Sequence, residues 1–281
     1  MEDSRLLSLF EWPEYLFYRL FRDTTKPEPV GASPVGARYG IWPIYFEEYR
    51  SNTEPLLHDT PPGPNRIAVW HRRTRMDVPR GWLQLPWLRS SIYIGYHKLA
   101  PGYFTRWSKT ARYYRKKWRD ELLDKKYRVI SLSFDEFARA YSKSTVASEI
   151  PTYELKKLQA RLERFPDSVQ MWGAERIRDG VIVGGHAVFD GCKGRASAYS
   201  CGFYLKEERM DNVMLGLIDH WFADALSRHV EVLHFGAFVP PHESGTKRGK
   251  GISHFKAQFV TDYLLYQPPL FKFLRGTILR K

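Results

Sequence analysis

The sequence of 281 residues has only two cysteines, Cys192 and Cys201. Two thiols make no disulfide framework, and this pair has no zinc-site spacing. They read as ordinary thiols of a reducing compartment. Nine histidines are scattered without metal-ligand spacing, so no metal is expected. No apolar run reaches the roughly 20 residues that a spanning helix needs. The opening Met1-Glu-Asp-Ser-Arg5 lacks a basic segment followed by a clean apolar stretch. A cleaved leader is therefore not expected, and the cytoplasm is the expected compartment. Acidic residues are in the minority: 31 Asp and Glu against 44 Lys and Arg leave a net charge of +13. That excess predicts attraction to nucleic acid, an anionic membrane surface or a phosphate-rich substrate, unless it is only a solvated basic surface. With 43% hydrophobic residues the chain can bury a core, which excludes disorder as the default.

Residues 24–36 and 53–65 are rich in Pro, Gly, Thr and Asn and read as linkers or long surface loops. Strand-like runs at Gly40–Phe46, Arg66–Trp70 and Ser91–Tyr96 make residues 1–105 a small β-containing region. Before them, Leu6, Leu7 and Phe10, then Leu16, Phe17, Leu20 and Phe21, recur at helical spacing on either side of Pro13. Such a stretch docks onto the protein's own core or lies on a membrane surface.

A helix is expected over about Arg106–Asp124, because Trp107, Ala111, Tyr114, Trp118 and Leu122 fall on one stripe. Lys109, Arg112, Lys116 and Arg119 lie off it and form a basic outer face, either solvated or tracking phosphates. From Tyr127 onward the signals are regular. A strand at Tyr127–Leu132 is followed by Ser133, with Glu136 three residues later, a capping-box pattern. Pro151-Thr152 opens a second helix carrying Leu155, Leu158, Leu162 and Phe165. Strands are expected at Val169–Ile177, Val181–Phe189 and Ala196–Leu205, then a helix over Met210–His229, a strand at Val230–Gly236, a short helix at Ile252–Phe259 and a last strand at Thr261–Gln267. The order β-α-α-β-β-β-α-β-loop-α-β is an α+β arrangement with a mixed sheet flanked by helices.

These residues resemble a known family. Val181-Ile-Val-Gly-Gly-His-Ala-Val-Phe189, Trp221-Phe-Ala-Asp-Ala-Leu226, His234-Phe-Gly236 and Gly251-Ile-Ser-His-Phe-Lys-Ala-Gln-Phe259 are similar, in that order, to the FemAB-like branch of the GNAT acyltransferase fold. Ser108-Lys-Thr-Ala-Arg-Tyr-Tyr-Arg-Lys-Lys117 and Tyr127-Arg-Val-Ile-Ser-Leu-Ser-Phe-Asp-Glu-Phe137 resemble the basic helix and strand that open the second half in that branch. The resemblance implies a GNAT-like domain over residues 106–281 and transfer of an acyl or aminoacyl group to an amine or hydroxyl, as in enzymes that add amino acids to peptidoglycan precursors. Fem ligases carry two GNAT-like halves; the region before Arg106 reads as a short, degenerate half. Many acetyl-CoA enzymes place a glycine loop before the helix after the fourth strand, where backbone N–H groups hold pyrophosphate. This chain has Leu205-Lys-Glu-Glu-Arg-Met210 there, with no glycine and two carboxylates. No tightly bound cofactor is expected. The donor implied is a phosphate-rich one such as aminoacyl-tRNA in preference to acyl-CoA, with peripheral contact to an anionic membrane as a further partner class. The alternative is a catalytically inactive GNAT-fold protein that binds nucleic acid or an anionic membrane surface.

The candidate site residues follow. Lys247, Arg248 and Lys250 stand among Gly245, Gly249 and Gly251 just before an expected helix start, which makes Lys247 to Ser253, with Gly251 and Ile252, an anion or donor site or else a solvated basic loop. With Ile252 set at zero on the helix wheel, Phe255 falls at about −60°, Phe259 at about −20° and Lys256 at about +40°. Lys256 therefore borders the buried stripe, where a lysine needs a partner or snorkels along apolar surface. The resemblance gives the matching lysine a role near the reacting carbonyl. His254 falls on the opposite face, and His186 reads as a core histidine. His234, His242 and Glu243 flank the strand end where this fold opens its cleft, so they are the general-base candidates, His234 and Glu243 foremost. Tyr199 and Ser200, with Phe255, are placed as acceptor-cleft residues. The N–H groups at Gly251–Ser253, with Lys256, are expected to face the developing oxyanion.

Overall fold

A computed structural model describes residues 28–29, 37–41, 44–50, 54–55, 57, 65–72, 76–84, 92–144, 146–147, 153–191, 194–239 and 247–275. The apolar segment at Leu6–Phe21 and the residues Cys192, His242 and Glu243 lie outside them. The chain divides into two units, Met1–Ile94 with Tyr263–Lys281, and Gly95–Asp262. The boundary thus precedes Arg106, and the C-terminal residues belong with the first unit.

The first unit holds β1 (Glu28–Pro29), β2 (Ala37–Ile41), β3 (Ile44–Arg50) and β4 (Asn65–His71). The single strand expected at Gly40–Phe46 is a hairpin, β2 pairing β3 from Ala37↔Glu48 to Ile41↔Ile44. Pro43 stands between them, and a proline cannot donate to a ladder. Later in the chain β12 (Leu270–Leu274) pairs β4 antiparallel, from Leu270↔Trp70 to Leu274↔Arg66. The sheet order is β1-β2-β3-β4-β12. Tyr49, Ala68, Trp70, Trp82 and Leu270 form its core.

Between these segments run β5 (Ile92–Lys98), α1 (Lys109–Lys117), β6 (Tyr127–Ser131), α2 (Phe134–Ser142), α3 (Tyr153–Arg164), β7 (Val169–Arg176), β8 (Val181–Gly191), β9 (Ala196–Tyr204), α4 (Val213–Ser227), β10 (Val232–Phe238), α5 (Lys247–Lys256) and β11 (Asp262–Tyr266). They build a seven-stranded sheet ordered β11-β5-β10-β9-β8-β7-β6. Pairing is antiparallel from β6 to β9 and parallel between β9 and β10. This is the expected mixed α+β sheet flanked by helices.

Local chemistry sets the helices. Ser133 accepts from the Glu136 N–H, and the Glu136 carboxylate accepts from the Ser133 N–H at 2.8 Å, so the capping box is complete. α2 and α3 cover one sheet face with Phe137, Tyr141 and Leu158 against Met171, Ala187, Cys201 and Phe203. α4 is apolar on nearly every side because it lies between the other sheet face and α1.

The helix expected over Arg106–Asp124 is broken in two places. A 3-10 turn covers Tyr103–Arg106 and Ser108 then caps α1, its Oγ accepting from the Ala111 N–H at 3.1 Å. A π turn follows over Trp118–Leu122. The apolar stripe is nonetheless buried at Trp107, Ala111, Trp118 and Leu122. Trp118 lies flat on Tyr127, with ring centroids 5.5 Å apart, and presses on Gly216 of α4. A methyl group at Gly216 would meet the indole at 2.2 Å. Gly216→Ala is therefore expected to lower stability by about 2 kcal/mol or more, although alanine is the better helix former. A urea midpoint equal to or above that of the parent would contradict this packing.

Candidate active site

β9 and β10 pair over three residues only: Val232↔Ala196, Leu233↔Ser197 and His234↔Ala198. Beyond them the strands part, and local features in each account for it. In β9 the register to β8 shifts: Val188 faces Tyr199 while Ala187 faces Cys201, so Ser200 is the extra residue of a bulge. A bulge bends and twists its strand. In β10, Gly236 has φ +68, a left-handed conformation that turns the strand aside. The opening therefore exposes the backbone of β9 beyond Ala198 to a neighbour other than a strand.

α5 closes over this opening. Ser253 is buried, and its Oγ accepts from the Val239 N–H at 2.9 Å, which ties the helix to the residue after β10. Lys256 is 9% exposed. Its Nζ stands 5.9 Å from the centre of the Tyr199 ring and 3.9 Å from the place a Cβ on Gly236 would take. Phe235 stacks on Tyr199 at 6.4 Å and on Phe259 at 5.8 Å, and half-buried Phe255 meets Phe259 edge-on at 5.3 Å. A cation thus lies beside the Tyr199 ring at the point where the two strands part, a buried setting in which its field is little screened.

Of Lys256, Tyr199, Ser200 and Phe255, named together from the sequence, the structure sets the Lys256 Nζ 5.9 Å from the Tyr199 ring centre, and Ser200 and Phe255 are their chain neighbours. Other assignments change. Ile252 is 46% exposed, not central to a buried stripe. The wheel used Phe259 as a helical residue, but α5 ends at Lys256 and Phe259 lies on the following turn. Lys247, Arg248, Lys250 and Gly251 are not a loop before a helix: α5 begins at Lys247. The N–H groups of Gly251, Ile252 and Ser253 are then inside the i→i−4 ladder, so they cannot face an oxyanion, and only the first turn has unpaired donors. His234 is fully buried within the paired part of β10. Phe235 packs on the α4 face with Trp221 and Phe222, so strand alternation sends His234 to the opposite face, away from Lys256. It is not a cleft base. Gly236 and Phe235 were missed, although a glycine inside the strand signal His234-Phe-Gly236 marks a bulge or close approach.

Two charged clusters flank the site. In the first, buried Asp219 of α4 accepts from Tyr103 Oη at 2.8 Å, Arg115 Nε at 2.6 Å and Arg119 Nε at 2.6 Å. Burial and then the Asp219 carboxylate push the Tyr103 phenol up to about 12. Arg119, expected on the basic outer face, is thus half committed to an internal ion pair. Lys109, Arg112 and Lys116 remain exposed, with Tyr113 among them at 65% exposure. Their row starts beside the lysine helix, because the Ser108 N–H donates to the Gln258 carbonyl at 3.0 Å.

The second cluster fills the segment before α4. Lys206–Asp211 is a 3-10 turn that ends at Asn212, φ +53. Buried Glu208 accepts from Tyr127 Oη and from Arg176 Nη1 at 2.6 Å. Asp211 accepts from Tyr127 Oη and pairs with Lys126, both at 2.6 Å. Burial pushes the Glu208 carboxyl up, but Tyr127, Arg176 and Lys126 together hold it below its ordinary value. Both carboxylates stand in the segment directly before α4. Among the described residues no group of three or more His, Cys, Asp or Glu is placed to hold a metal ion. Among them, too, no helix is long and apolar enough to cross a membrane.

No family model matches the chain, and no curated protein matches it in sequence. Solved structures do match. FemX is 8% identical over 95% of this chain and 92% of its own, with a TM-score of 0.59. L-PGS from Bacillus licheniformis is 9% identical over 96% and 91%, with a TM-score of 0.55. The C-terminal domain of a putative lysylphosphatidylglycerol synthetase from Agrobacterium fabrum is 11% identical over 84% and 79%, at 0.51. Likeness at such identity is likeness of fold, and the fold of this chain is the GNAT-like one of FemX.

Proposed function

We propose that the chain is an acyltransferase that moves an acyl or aminoacyl group from an activated, phosphate-rich donor to an amine or hydroxyl. The observation that carries this reading is Lys256, whose Nζ is held in the opening between β9 and β10. Acyl transfer needs the nucleophile set against the carbonyl and a positive group at the developing oxyanion. Lys256 supplies the second. Tyr199 and Ser200, on the bulged strand, position the acceptor. Glu243 retains its assignment as general base. Aminoacyl-tRNA is preferred to acyl-CoA as donor, because Glu208 and Asp211 occupy the segment where CoA pyrophosphate would bind. Lys109, Arg112 and Lys116, with Tyr113 for base stacking, lead away from the lysine helix along a polyanion track. The first turn of α5, with Lys247, Arg248 and Lys250, is the proposed anion site for the donor.

The test is transfer of a radiolabelled amino acid from charged tRNA, with acetyl-CoA as the parallel donor and a set of amine acceptors. Label moved from tRNA but not from acetyl-CoA supports the reading; transfer from acetyl-CoA alone overturns the choice of donor. The triple variant Lys109→Glu, Arg112→Glu, Lys116→Glu is expected to weaken tRNA binding at least tenfold. It should also flatten the dependence of log affinity on log salt by about 2 to 3, roughly one for each lost phosphate contact. An unchanged salt slope would sink the track. One observation favours the second reading, a binding protein without catalysis: Lys256 is almost sealed from solvent. In that case tRNA or anionic vesicles bind while no donor is turned over.

A further inference from the structure

Ten large apolar side chains stand exposed among the described residues, and four of them, Met76, Val78, Leu83 and Phe273, fall in two short elements of the first unit. Those elements are the loop 76–84 and the edge strand β12. They are joined by a pair of bonds: the Leu83 N–H donates to the Phe271 carbonyl at 2.8 Å, and the Phe271 N–H donates to the Leu83 carbonyl at 2.8 Å. Leu83 and Phe271 therefore point to the same side, and Phe273, two residues on, shares it. Phe271 is buried at 8%, but Leu83 and Phe273 project at 51% and 62%. Gly81, in the turn before Leu83, lies against Lys272: a Cβ there would stand 3.5 Å from Lys272 Cε. The turn that carries Gly81 is held rigidly: the Trp82 N–H donates to the Pro79 carbonyl at 3.1 Å, and Trp82 Nε1 donates to Glu54 at 2.7 Å. The apolar tips are thus presented by a fixed scaffold.

The charges around them choose the partner. Arg80 is exposed in the loop, exposed Arg275 directly follows β12, and Lys272 lies between Phe271 and Phe273. In the sequence, Arg75 directly precedes Met76, and Arg73 stands two residues before Arg75. The acids nearby are exposed Asp77 and Glu54, and Glu54 is already engaged by Trp82 and lies 3.9 Å from Lys272. A second copy of this chain would bring the same cations face to face. A nucleic acid would answer the arginines but leave four aliphatic and aromatic tips in water. An anionic bilayer answers both, taking apolar side chains at the acyl boundary and arginines at the phosphates. We infer that the loop 76–84 and β12 form a surface that settles on membranes containing anionic phospholipid. This is independent of whether the chain transfers acyl groups.

Flotation of the full chain with vesicles tests it. Vesicles of phosphatidylcholine with about 30% phosphatidylglycerol are compared with pure phosphatidylcholine. The parent should float with the anionic vesicles and at least about tenfold less with the neutral ones. Met76→Gln, Val78→Thr, Leu83→Thr and Phe273→Thr together should lower anionic-vesicle affinity by about tenfold or more, with the thermal midpoint nearly unchanged because all four side chains are exposed. Arg80→Glu with Arg275→Glu should remove the preference for phosphatidylglycerol. Undiminished flotation of the fourfold variant, or a parent that does not float, overturns the inference. So does a dimer of the parent that the fourfold variant dissolves in sedimentation velocity, which would assign the face to a second copy.

Discussion

Replacing Lys256 by methionine is expected to lower the transfer rate by about two to three orders of magnitude, the effect of removing one charge-stabilising donor from a preorganised site. The fold should survive. Methionine keeps most of the length and the apolar stem of lysine, so the packing around it is kept, and the thermal midpoint of the variant reports whether the fold survives. The Tyr199 ring, whose centre is 5.9 Å from Nζ, would meet the thioether in place of the ammonium. The decisive readout is the split between kcat and substrate affinity. If Lys256 acts on the oxyanion, kcat falls and tRNA binding does not, because the basic row on α1 is untouched. A variant that keeps its thermal midpoint and its full rate would remove Lys256 from the chemistry. One that loses tRNA binding and rate together would make it an anion ligand of the donor instead.

This expectation rests on features that differ in how well the sequence announces them. The Gly-x-x-x-Phe-Lys run from Gly251 to Lys256 was legible; Lys256 is buried as expected, but the stripe it was read from is not the buried one, since Ile252 is exposed and Phe259 lies beyond the helix. What Lys256 faces was not legible. The opening exists because Ser200 is an extra residue in β9 and Gly236 adopts a left-handed backbone, and a bulge leaves no mark in hydropathy. Pattern reading also failed at helix starts. Lys247–Gly251 carries two glycines among cations and reads as loop, yet it is the first half of α5. The reverse holds on α1, where charge pattern alone could not separate Arg119, paired with Asp219, from Lys116, which is exposed. Asp219 sits in Trp221's own apolar helix, and a lone carboxylate there was the sign that cations from elsewhere must reach it. In the first unit, Leu270-Phe-Lys-Phe-Leu274 was missed as a strand. With apolar residues at every position but one it has no alternation, and its identity comes from pairing with β4.

The second large effect concerns acid, and it follows from His186. The ring is fully buried on β8, between Trp172, Trp221 and Tyr199, with centroids 5.1 to 6.2 Å away. Neither ring nitrogen is hydrogen-bonded among the described residues. Burial, and then the nearby His220, lower its pKa from 6.5 to about 3. Folded His186 is therefore neutral through the whole mildly acidic range, while the unfolded chain takes up a proton below about pH 6.5. The unfolded state then binds more protons, so stability falls as pH falls. The contribution is fully present above about pH 6.5 and is lost progressively down towards pH 3. Between pH 7 and pH 5 the loss from this one group is about 2 kcal/mol, enough to move a urea midpoint visibly. Buried His97 works in the same direction, its pKa lowered by burial first, with its Nδ1–H donated to the Phe259 carbonyl at 2.8 Å. His186→Phe separates the two. Phenylalanine keeps the ring contacts and removes nitrogens that find no partner, so stability at pH 7 should be unchanged or higher. The fall in stability between pH 7 and pH 5 should shrink by about 2 kcal/mol. Urea midpoints at both pH values settle the matter. An acid slope equal to the parent's would mean that His186 does not stay neutral in the fold. A variant markedly weaker at pH 7 would mean that its nitrogens serve a polar partner inside the protein, within one ring of Tyr199 and the Lys256 site.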